Sequence, residues 1–532
     1  MSQYPSLKEG LLSDFAQIKQ SQLAGLEQVL DHVLEPDGAG PLEKDCQVPG
    51  LIESGQSAVN ASYWRKINDV VAGANSLAVG NDSSLSEKII QEFKLTNENQ
   101  KKTIQEFSGQ RLFCVSGGPG TGKTTIAAAC MAKIEQLTSQ DTRSIVLAAP
   151  TGRAAGRLME SLSGSFKKHN LTMPQVEAKT IHRLLKYSPR SNRFSLNREN
   201  QLASKLIILD EASMLSPYLL ASVIDASNSD CSLLLLGDPD QLPPVNSDIV
   251  FEKVCKQVDP ACRVRLVKNF RAKEAGNLVE TLTAVNQSEM DPDNPLAGIE
   301  IETINKEQSV TYLQSKDEVG VKCLQVTQQS EIRDFLEQLK TEILKPFYQE
   351  SLPAIWTECA KTGQYQRFWE AALKYQLLTI YNGKKDSRSL LSANGINRYL
   401  ETELAASPLL PRMQTINDYR QKLYNGDVGL LFKEDSVKFP AMDNDQNEHG
   451  FHAVQASLPG LVSSFAITVH KSQGSQYETV IMILPTKDTK DKEEEGQIFA
   501  NPAMLKKLLY TGLSRARKKV LLISMGQGDQ VS

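Results

Sequence analysis

The chain has 532 residues, of which 40% are apolar and 23% charged, and its formal net charge is −4 at pH 7. This length exceeds what one hydrophobic core accommodates, so we expect three or four domains of ordinary soluble composition. No apolar run reaches the roughly 20 residues of a membrane span, and the first residues lack the pattern of a secretory signal, so we expect no membrane contact. Because the chain is not cationic overall, nucleic-acid binding requires a local basic groove.

The eight cysteines are scattered along the chain without C-x-x-C pairs. This spacing predicts reduced, mostly buried thiols in a cytoplasmic protein.

Residues 1–90 predict a small helical N-terminal domain. Apolar side chains recur at helical spacing between residues 6 and 34, and a second helical pattern runs from Tyr63 to Val79. This part holds no catalytic motif, so we expect it either to pack on the rest of the molecule or to dock on a partner. The apolar positions of the first pattern are Leu11, Phe15, Ile18, Leu23, Leu26, Leu30 and Val33.

A glycine-rich loop, GGPGTGKTT, follows an apolar strand and precedes a good helix former. This order matches the phosphate loop G-x-x-x-x-G-K-[ST], whose backbone N–H groups surround phosphate oxygens. Lys123 would neutralise the β- and γ-phosphates, and the Thr124 hydroxyl would hold Mg²⁺. The loop therefore predicts a nucleoside triphosphate site, formed by Gly117, Gly118, Pro119, Gly120, Thr121, Gly122, Lys123, Thr124 and Thr125.

Strands alternate with helices in two parts of the chain, which predicts two α/β domains with parallel sheets. Between the halves of the second domain, short β-like runs from Met413 to Leu461 predict a small inserted β-barrel. The predicted strands are Leu112–Ser116, Ile145–Ala149, Leu206–Leu209 and Ser232–Leu236 in the first domain, and Ser389–Leu391, Ala466–Val469, Thr479–Leu484 and Val520–Ser524 in the second.

Polar residues follow two of these strands. In KLIILDEASM, one carboxylate of Asp210 and Glu211 can hold the Mg²⁺ shell while the other orients the attacking water. In LLLLGDPDQLPPV, Gln241 can reach the γ-phosphate. Alone, the first pattern also fits a solvated strand end and the second a proline-rich surface turn, but the preceding phosphate loop favours the catalytic interpretation.

Two further loops, APTGRAAGRL and TIHRLL, offer donors to a phosphodiester. Thr151 and Gly152 supply a hydroxyl and an amide, Arg153 and Arg157 add charge, and His182 adds an imidazole. A solvated helix face and an ordinary packed histidine are the alternatives. Both loops leave the same edge of the first sheet, where ligands of such sheets bind.

Arginines near the domain ends are candidates for stabilising γ-phosphate charge. Arg515 and Arg517 lie in YTGLSRARKK before a strand, and we favour Arg515 while leaving Arg517 open. Arg271, in KNFRA, is a second candidate.

The series GGPGTGKTT, APTGRAAGRL, TIHRLL, LDEASM, GDPDQLPPV, NFR, VHKSQGSQYE and YTGLSRAR resembles the ordered motifs of superfamily 1 DNA helicases. Within them it is similar to the RecD family, the alpha subunits of exodeoxyribonuclease V (RecBCD), from about Thr96 to Gly526. The segment INDYRQKLYNGDVGLLF is similar to the start of an SH3-like barrel in RecD. The resemblance implies a 5′-to-3′ helicase with ATP between two RecA-like motor domains and single-stranded DNA across both.

The resemblance also implies domain bounds: 1–90 N-terminal, 91–272 first motor domain, 273–411 start of the second, 412–462 barrel, and 463–532 remainder of the second. It assigns metal and water to Asp210 and Glu211, and γ-phosphate sensing to Gln241, Arg271 and Arg515. Gln100 matches an adenine-reading glutamine, although Asn97-x-x-Gln100 also fits a helix capping box. The implied DNA-facing residues are Thr151, Gly152, Arg153, His182, Thr468 and His470.

Two departures from the family pattern concern the ribose and the partners. Gln476 replaces the usual Glu of Q-G-x-E, which puts a ribose contact in doubt, and the N-terminal domain is short. The family implies RecB-like and RecC-like partners, with any nuclease activity in a partner. A stand-alone RecD-like helicase, an inactive DNA-binding scaffold subunit and an RNA helicase are the alternatives.

Overall fold

The computed structural model describes residues 49–74, 82–137, 145–244, 247–270, 275–292, 294–384, 387–418, 420–421, 423–433, 435–440, 451–485 and 501–525, with side chains from residue 61. The predicted apolar positions between residues 6 and 34 and the candidate Arg271 lie outside these ranges. Within the described ranges, no helix is both long and apolar enough to cross a membrane.

The first half of the chain forms a six-stranded parallel sheet in the order β3-β2-β6-β7-β1-β8. Val115 of the central strand pairs with Leu236 on one side and Val264 on the other. All four predicted strands of this domain are present; the short strands β3 and β8 at the sheet edges were not predicted. The strands of this half are β1 (Leu112–Gly117), β2 (Ile145–Ala149), β3 (Ala178–Thr180), β4 (Tyr187–Ser188), β5 (Arg193–Phe194), β6 (Leu206–Leu209), β7 (Ser232–Gly237) and β8 (Arg263–Leu266).

Helices cover both faces of this sheet, which explains why its central strands are continuous apolar runs. Their starts follow capping rules: Asn97, Thr151 and Ser216 each accept backbone N–H groups of the first turn. The helices are α1 (Pro49–Ala72), α2 (Ser83–Glu92), α3 (Glu98–Glu106), α4 (Lys123–Leu137), α5 (Gly152–Lys168), α6 (Ile181–Leu184), α7 (Pro217–Ala226) and α8 (Val250–Gln257).

The described part of the N-terminal segment packs on this first lobe. Tyr63 and Ile67 of α1 and Ile89 of α2 belong to the same hydrophobic core as the sheet. Lys133 of α4 is fully buried, and its Nζ donates to Ser86 Oγ (2.9 Å) and to the carbonyls of Ile104 (2.7 Å) and Phe107 (2.6 Å). These bonds join α2 and α3 to the helix that follows the phosphate loop.

The second half forms another six-stranded parallel sheet, in the order β17-β11-β18-β19-β10-β9. A five-stranded antiparallel sheet, β15-β14-β13-β12-β16, is inserted between β11 and β17. The strands are β9 (Glu302–Thr303), β10 (Gly320–Val326), β11 (Tyr375–Thr379), β12 (Leu409–Gln414), β13 (Val428–Phe432), β14 (Ser436–Pro440), β15 (Phe451–Gln455), β16 (Leu461–Ser463), β17 (Ala466–Thr468), β18 (Tyr477–Leu484) and β19 (Ala516–Met525).

The predicted strand Ser389–Leu391 is wrong. This stretch is a turn that leads into a helix, because the Ser392 hydroxyl accepts the Gly395 N–H (3.1 Å) and caps the helix start. The strand in this region is instead β11, which pairs with β17 and β18.

The helices of the second half are α9 (Leu278–Gln287), α10 (Lys306–Gln314), α11 (Gln329–Leu339), α12 (Leu352–Thr362), α13 (Gln366–Ala372), α14 (Ala393–Glu403) and α15 (Pro502–Ser514). Helix α15 begins at the cap Asn501 and Pro502 and ends at Arg515. It lies at the contact between the two halves, which places its last turns beside the first sheet.

Candidate nucleotide site between the two lobes

The phosphate loop joins β1 to α4 in a shape that only glycine allows at two positions. Gly120 and Gly122 have φ of 76° and 87°, values that residues with a Cβ atom rarely adopt. A Cβ atom built on Gly122 would also lie 2.5 Å from Gln100 Nε2. The sequence G-T-G-K thus gives a tight loop whose amides open toward the N-terminus of α4, a favourable place for anions.

Lys123 is the first residue of α4, and its ammonium lies against the loop. Nζ donates to the carbonyls of Gly117 (2.6 Å) and Gly118 (3.0 Å), while Thr121 Oγ1 donates to Gly118 (2.9 Å). A positive charge therefore sits where the loop amides converge, which suits a polyphosphate.

Gln100 also contacts the loop. Its buried side chain donates from Nε2 to the Thr121 carbonyl (3.3 Å). Asn97 caps α3 by accepting the N–H groups of Asn99 and Gln100. Asn97 therefore caps the helix, as one alternative expected. The Gln100 side chain nevertheless contacts the phosphate loop. Its contact with adenine stays a prediction.

Asp210 and Glu211 end strand β6 in a strained turn. Glu211 has φ of 52°, in the left-handed region, and its N–H donates to Asp210 Oδ1 (2.9 Å). Burial and the Glu211 charge raise the pKa of Asp210 to about 6, although Lys123 and Arg157 oppose this shift. The Asp210 carboxylate and the Thr124 hydroxyl both line the same cavity, and hard oxygen ligands of this kind fit Mg²⁺.

A hydrogen-bonded chain links the two lobes beside these carboxylates. Gln241 Nε2 donates to Asp238 Oδ2 (3.1 Å), and its Oε1 accepts from Arg515 Nη2 (2.6 Å). Arg515 also donates to the Thr511 carbonyl (3.1 Å) and to Ser514 Oγ, so its side chain is only 2% exposed. Arg517, which the sequence left open, is exposed on β19.

These groups surround one cavity of about 380 Å³ between the lobes. Its lining includes the phosphate loop, the carboxylates of Asp210 and Glu211, and Gln241 from the first lobe. Arg515 and Gln476 of the second lobe also line it. The full lining is Pro119, Gly120, Thr121, Gly122, Lys123, Thr124, Thr125, Ala154, Arg157, Ser161, Gly164, Ser165, Lys168, Asp210, Glu211, Gln241, Phe270, Gln476, Ser514 and Arg515.

The arginines of APTGRAAGRL face the second lobe. Arg153 donates to the Tyr477 hydroxyl (3.1 Å) and to Ser475 Oγ. Arg157 lines the cavity and donates to the Gly474 carbonyl (3.5 Å). Arg157 therefore lines the cavity, whereas its charge was expected beside DNA.

The remaining predicted DNA-facing residues are not among those that line the cavity. Thr151 Oγ1 caps α5 by accepting the Ala154 N–H (3.2 Å), and Gly152 begins that helix. His182 packs on the rings of Tyr187 and Phe194, at 5.5 and 5.7 Å between centroids. This packed position fits the ordinary-histidine alternative as well as a DNA contact.

In the second lobe, Thr468 is the last residue of β17, and His470 follows the strand. Thr468 Oγ1 accepts the Lys471 N–H (3.3 Å). Burial lowers the pKa of His470 and of His182, so both imidazoles favour the neutral form at pH 7. The DNA role of these residues remains a prediction.

Phe270 is a site residue that the sequence analysis missed. It lines the cavity with 45% of its surface exposed, and its N–H donates to the Gly120 carbonyl (2.9 Å). An exposed aromatic ring beside a phosphate loop is suited to stacking on a base. Its signal was the aromatic residue directly before Arg271 in KNFRA.

Two family models and a solved structure match parts of this chain. Residues 100–247 match the family model "AAA domain", and residues 463–523 match "UvrD-like helicase C-terminal domain". Among solved structures, the Pif1 helicase from Candida albicans aligns at 18% identity over 80% of this chain and 94% of that chain, with a TM-score of 0.37.

Curated relatives extend the likeness over most of the chain. The RecBCD enzyme subunit RecD of Mycobacterium tuberculosis is 26% identical over 480 residues, which cover 87% of this chain and 75% of that protein. The RecBCD enzyme subunit RecD of Haemophilus influenzae is 24% identical over 474 residues, covering 82% and 70%. The ATP-dependent RecD2 DNA helicase of Deinococcus radiodurans is 26% identical over 438 residues, covering 82% of this chain and 50% of that protein.

The two matched domains, which lie in the two lobes that share this cavity, indicate an ATP-hydrolysing helicase of superfamily 1. Within this class the chain is a RecD-like helicase, as the likeness over most of its length to RecD and RecD2 proteins indicates.

Proposed function

We propose that the chain is a 5′-to-3′ DNA helicase and translocase that acts as the RecD-type subunit of a RecBCD complex in double-strand break repair and recombination. The observation that supports this most is the cavity shared by the lobes: Lys123, Asp210 and Glu211 come from the first lobe and Arg515 from the second. A site divided in this way responds to any change in the distance between the lobes, which is what a translocating motor needs.

In the proposed mechanism, the triphosphate lies on the loop amides and on Lys123. Thr124 and Asp210 would hold Mg²⁺, and the ion would supply positive charge to the phosphates. Glu211 accepts the proton of the attacking water. Gln241 and Arg515 then stabilise the charge that develops on the γ-phosphate, together with Arg271, which lies outside the described residues.

The adenine base is proposed to lie on the side of the phosphate loop that Gln100 and Phe270 contact. Gln100, whose side chain donates to the Thr121 carbonyl, would read adenine, and the exposed ring of Phe270 would stack on it. Gln476 lines the cavity and carries an amide where the family has a carboxylate. An amide can still donate to a ribose hydroxyl, so we propose a neutral sugar contact here.

Single-stranded DNA is proposed to cross the lobes at the edge marked by Thr151, Gly152 and His182 in the first lobe and by Thr468 and His470 in the second, with Arg153 at their boundary. The inserted antiparallel sheet, within residues 412–462, is proposed to be an SH3-like barrel that borders this path. The motor domains are proposed to cover residues 91–272 and, interrupted by the barrel, 273–532.

Residues 1–90 are proposed to form the helical N-terminal domain and to dock on a RecC-like subunit in the cytoplasm, with RecB-like and RecC-like chains completing a heterotrimer. The part described from residue 61 packs on the first lobe, so the docking face would come from the apolar positions between residues 6 and 34. Deleting residues 1–48 is expected to abolish co-purification with the partners while ATP hydrolysis stimulated by DNA is preserved. Retained co-purification would contradict the docking proposal.

A stand-alone helicase is the second candidate, favoured by the RecD2 relative from Deinococcus radiodurans. The aligned residues span half of that protein and three quarters of the Mycobacterium tuberculosis RecD. A protein that unwinds DNA at full rate without partners would support this candidate. An inactive scaffold is disfavoured, because such a subunit has no use for the complete set of Lys123, Asp210, Glu211, Gln241 and Arg515.

Unwinding assays on tailed duplexes test the proposal. ATP hydrolysis is expected to be low alone and to rise sharply with single-stranded DNA, and duplexes with a 5′ tail are expected to be unwound in preference to those with a 3′ tail. DNA binding should weaken as salt rises, because contacts with phosphates release counterions. Glu211→Gln is the matched control: it keeps the volume of the side chain and binds nucleotide and DNA, but unwinds neither substrate. Preference for 3′ tails would contradict the proposal.

A further inference from the structure

Helix α15 holds the loop that follows β7 through one face. Lys507 Nζ donates to the Pro239 carbonyl, and the Leu242 N–H donates to Thr511 Oγ1 (2.9 Å). One turn further, Arg515 donates to Gln241 Oε1 (2.6 Å). Residues spaced by four along a helix share a face, so this loop of the first lobe moves with a helix of the second.

Tyr510, three residues after Lys507 on this helix, contacts a different part of the loop. Its hydroxyl donates to Asp238 Oδ2 (3.1 Å), and the side chain is 3% exposed. The hydroxyl also lies 3.0 Å from a Cβ atom built on Gly118, at the start of the phosphate loop. Burial, with Asp238 and Asp240 nearby, holds the pKa of Tyr510 well above its usual value, so the phenol stays protonated and acts as a donor.

Asp238 determines how the Gln241 amide is turned. Its Oδ2 accepts both from Tyr510 and from Gln241 Nε2 (3.1 Å). Because the nitrogen of that amide faces Asp238, its oxygen faces the guanidinium of Arg515. A side-chain amide has one donor end and one acceptor end, so the orientation of Asp238 decides which end meets the arginine.

We propose that Tyr510 is a positioning residue for ATP hydrolysis. Its hydroxyl orients Asp238, Asp238 orients the Gln241 amide, and the amide oxygen positions Arg515. A movement of the second lobe therefore changes the arrangement of Gln241 and Arg515. Neither Tyr510 nor Asp238 is among the residues that line the cavity, so both act through Gln241 and not on the nucleotide. This inference rests on the proposed function, since the lobe movement that it transmits is the one driven by DNA binding.

The experiment compares Tyr510→Phe with Tyr312→Phe in the full chain. Both remove the hydroxyl of a buried tyrosine, because Tyr312 is 1% exposed and donates to the Gly320 carbonyl (2.6 Å) at the far edge of the second sheet. The readouts are kcat and KM for ATP with saturating oligo(dT), together with the pH dependence of kcat.

Tyr510→Phe is expected to lower kcat about tenfold, which is the effect of losing one buried hydrogen bond to a charged group, with KM for ATP within twofold. Tyr312→Phe should keep both values within twofold. The acid limb of kcat should also move to higher pH in Tyr510→Phe alone, because a carboxylate that loses a donor is protonated more easily. Lys123, Asp240 and Gln241, which also act on Asp238, are unchanged in both variants.

Four results are decisive. A kcat of Tyr510→Phe within twofold of the parent overturns the inference, and so does an equal loss in Tyr312→Phe. A raised KM with unchanged kcat also overturns it, since Tyr510 would then support nucleotide binding. A parent protein without DNA-stimulated hydrolysis contradicts the proposed function itself, whatever the variants do.

Discussion

The two parallel sheets face the nucleotide cavity with opposite ends. In the first sheet, Asp210, Glu211 and Gln241 follow the carboxyl ends of β6 and β7, as the phosphate loop follows β1. In the second sheet, Gln476 precedes β18 and Arg515 precedes β19. In the first lobe, the loops that follow the strands provide backbone amides and carboxylates to the cavity. The second lobe provides single side chains to it.

We expect this difference to separate nucleotide binding from turnover. The first lobe provides the charged phosphate loop, while Arg515 is held beside the cavity by hydrogen bonds to partners such as Gln241 and Ser514. Loss of the charge on the phosphate loop should therefore weaken nucleotide binding, whereas changes in the second lobe should spare it. The following variants test that separation, from the largest expected effect to the smallest.

Lys123→Gln should reduce ATP hydrolysis on the order of a thousandfold or more and weaken ATP binding, because it removes the charge on the phosphate loop. Steady-state hydrolysis and titration with a fluorescent ATP analogue measure the two effects. Lys167→Gln, which removes an exposed lysine of α5, is the control and should hydrolyse ATP at the parental rate. Parental turnover in Lys123→Gln would refute the assignment of the loop.

Arg515→Lys should lower DNA-stimulated turnover about a hundredfold and leave ATP binding within threefold. Lysine keeps the charge but lacks the planar guanidinium that reaches several acceptors at once. Arg517→Lys makes the same change at an exposed position of β19 and should have no effect. If Arg515→Lys weakened ATP binding as much as Lys123→Gln, the two sheets would not differ in the way described.

The smallest expected effect concerns Asp427, which lies where the inserted antiparallel sheet approaches the first lobe. Asp427 is 6% exposed, its Oδ2 accepts the Tyr424 N–H (2.7 Å), and its Oδ1 lies 3.6 Å from a Cβ atom built on Gly152. Burial raises the pKa of Asp427 to about 6, against roughly 3.9 in an unfolded chain. The folded state therefore binds this proton more tightly, and stability falls as pH rises from about 4 to 6.

Asp427→Asn should remove this cost while keeping an acceptor for the Tyr424 N–H. We expect its Tm to exceed that of the parent by about 2 °C at pH 7.5, and by less near pH 4.5. Asp435→Asn, at an exposed position in the turn between β13 and β14, should not change the pH dependence of Tm. A Tm difference that is equal at both pH values would show that Asp427 is not protonated more readily in the folded state.

Local patterns were sufficient to predict the central strands and to single out polar residues that line the cavity. β1, β2, β6 and β7 are continuous apolar runs, and the chemical groups follow them directly in sequence. Edge strands such as β3 and β8 are short and partly exposed, so they lack that signal. Ser389–Leu391 was misjudged because an apolar pair before a capping serine resembles a strand end.

Contacts between distant parts of the chain could not be predicted in this way. The partners of Arg153 and Arg157 in the second lobe lie more than three hundred positions away, and nothing near these arginines marks them. The role of Asp238 likewise depends on Tyr510, which is 272 positions away. Pairings of this kind follow from the docking of two lobes and not from the periodicity of either.

The buried ammonium of Lys133 determines where the chain can be shortened. Two of its three acceptors, the carbonyls of Ile104 and Phe107, belong to α3 and its end, but the third is Ser86 of α2. A truncated chain that begins at residue 91 would lose this hydroxyl together with the apolar side chains of α1 and α2, and a cation would be left underpaired in a dry interior. A fragment meant to separate the motor from its proposed docking segment should therefore start no later than Pro49, so that a loss of assembly is not confused with a loss of folding.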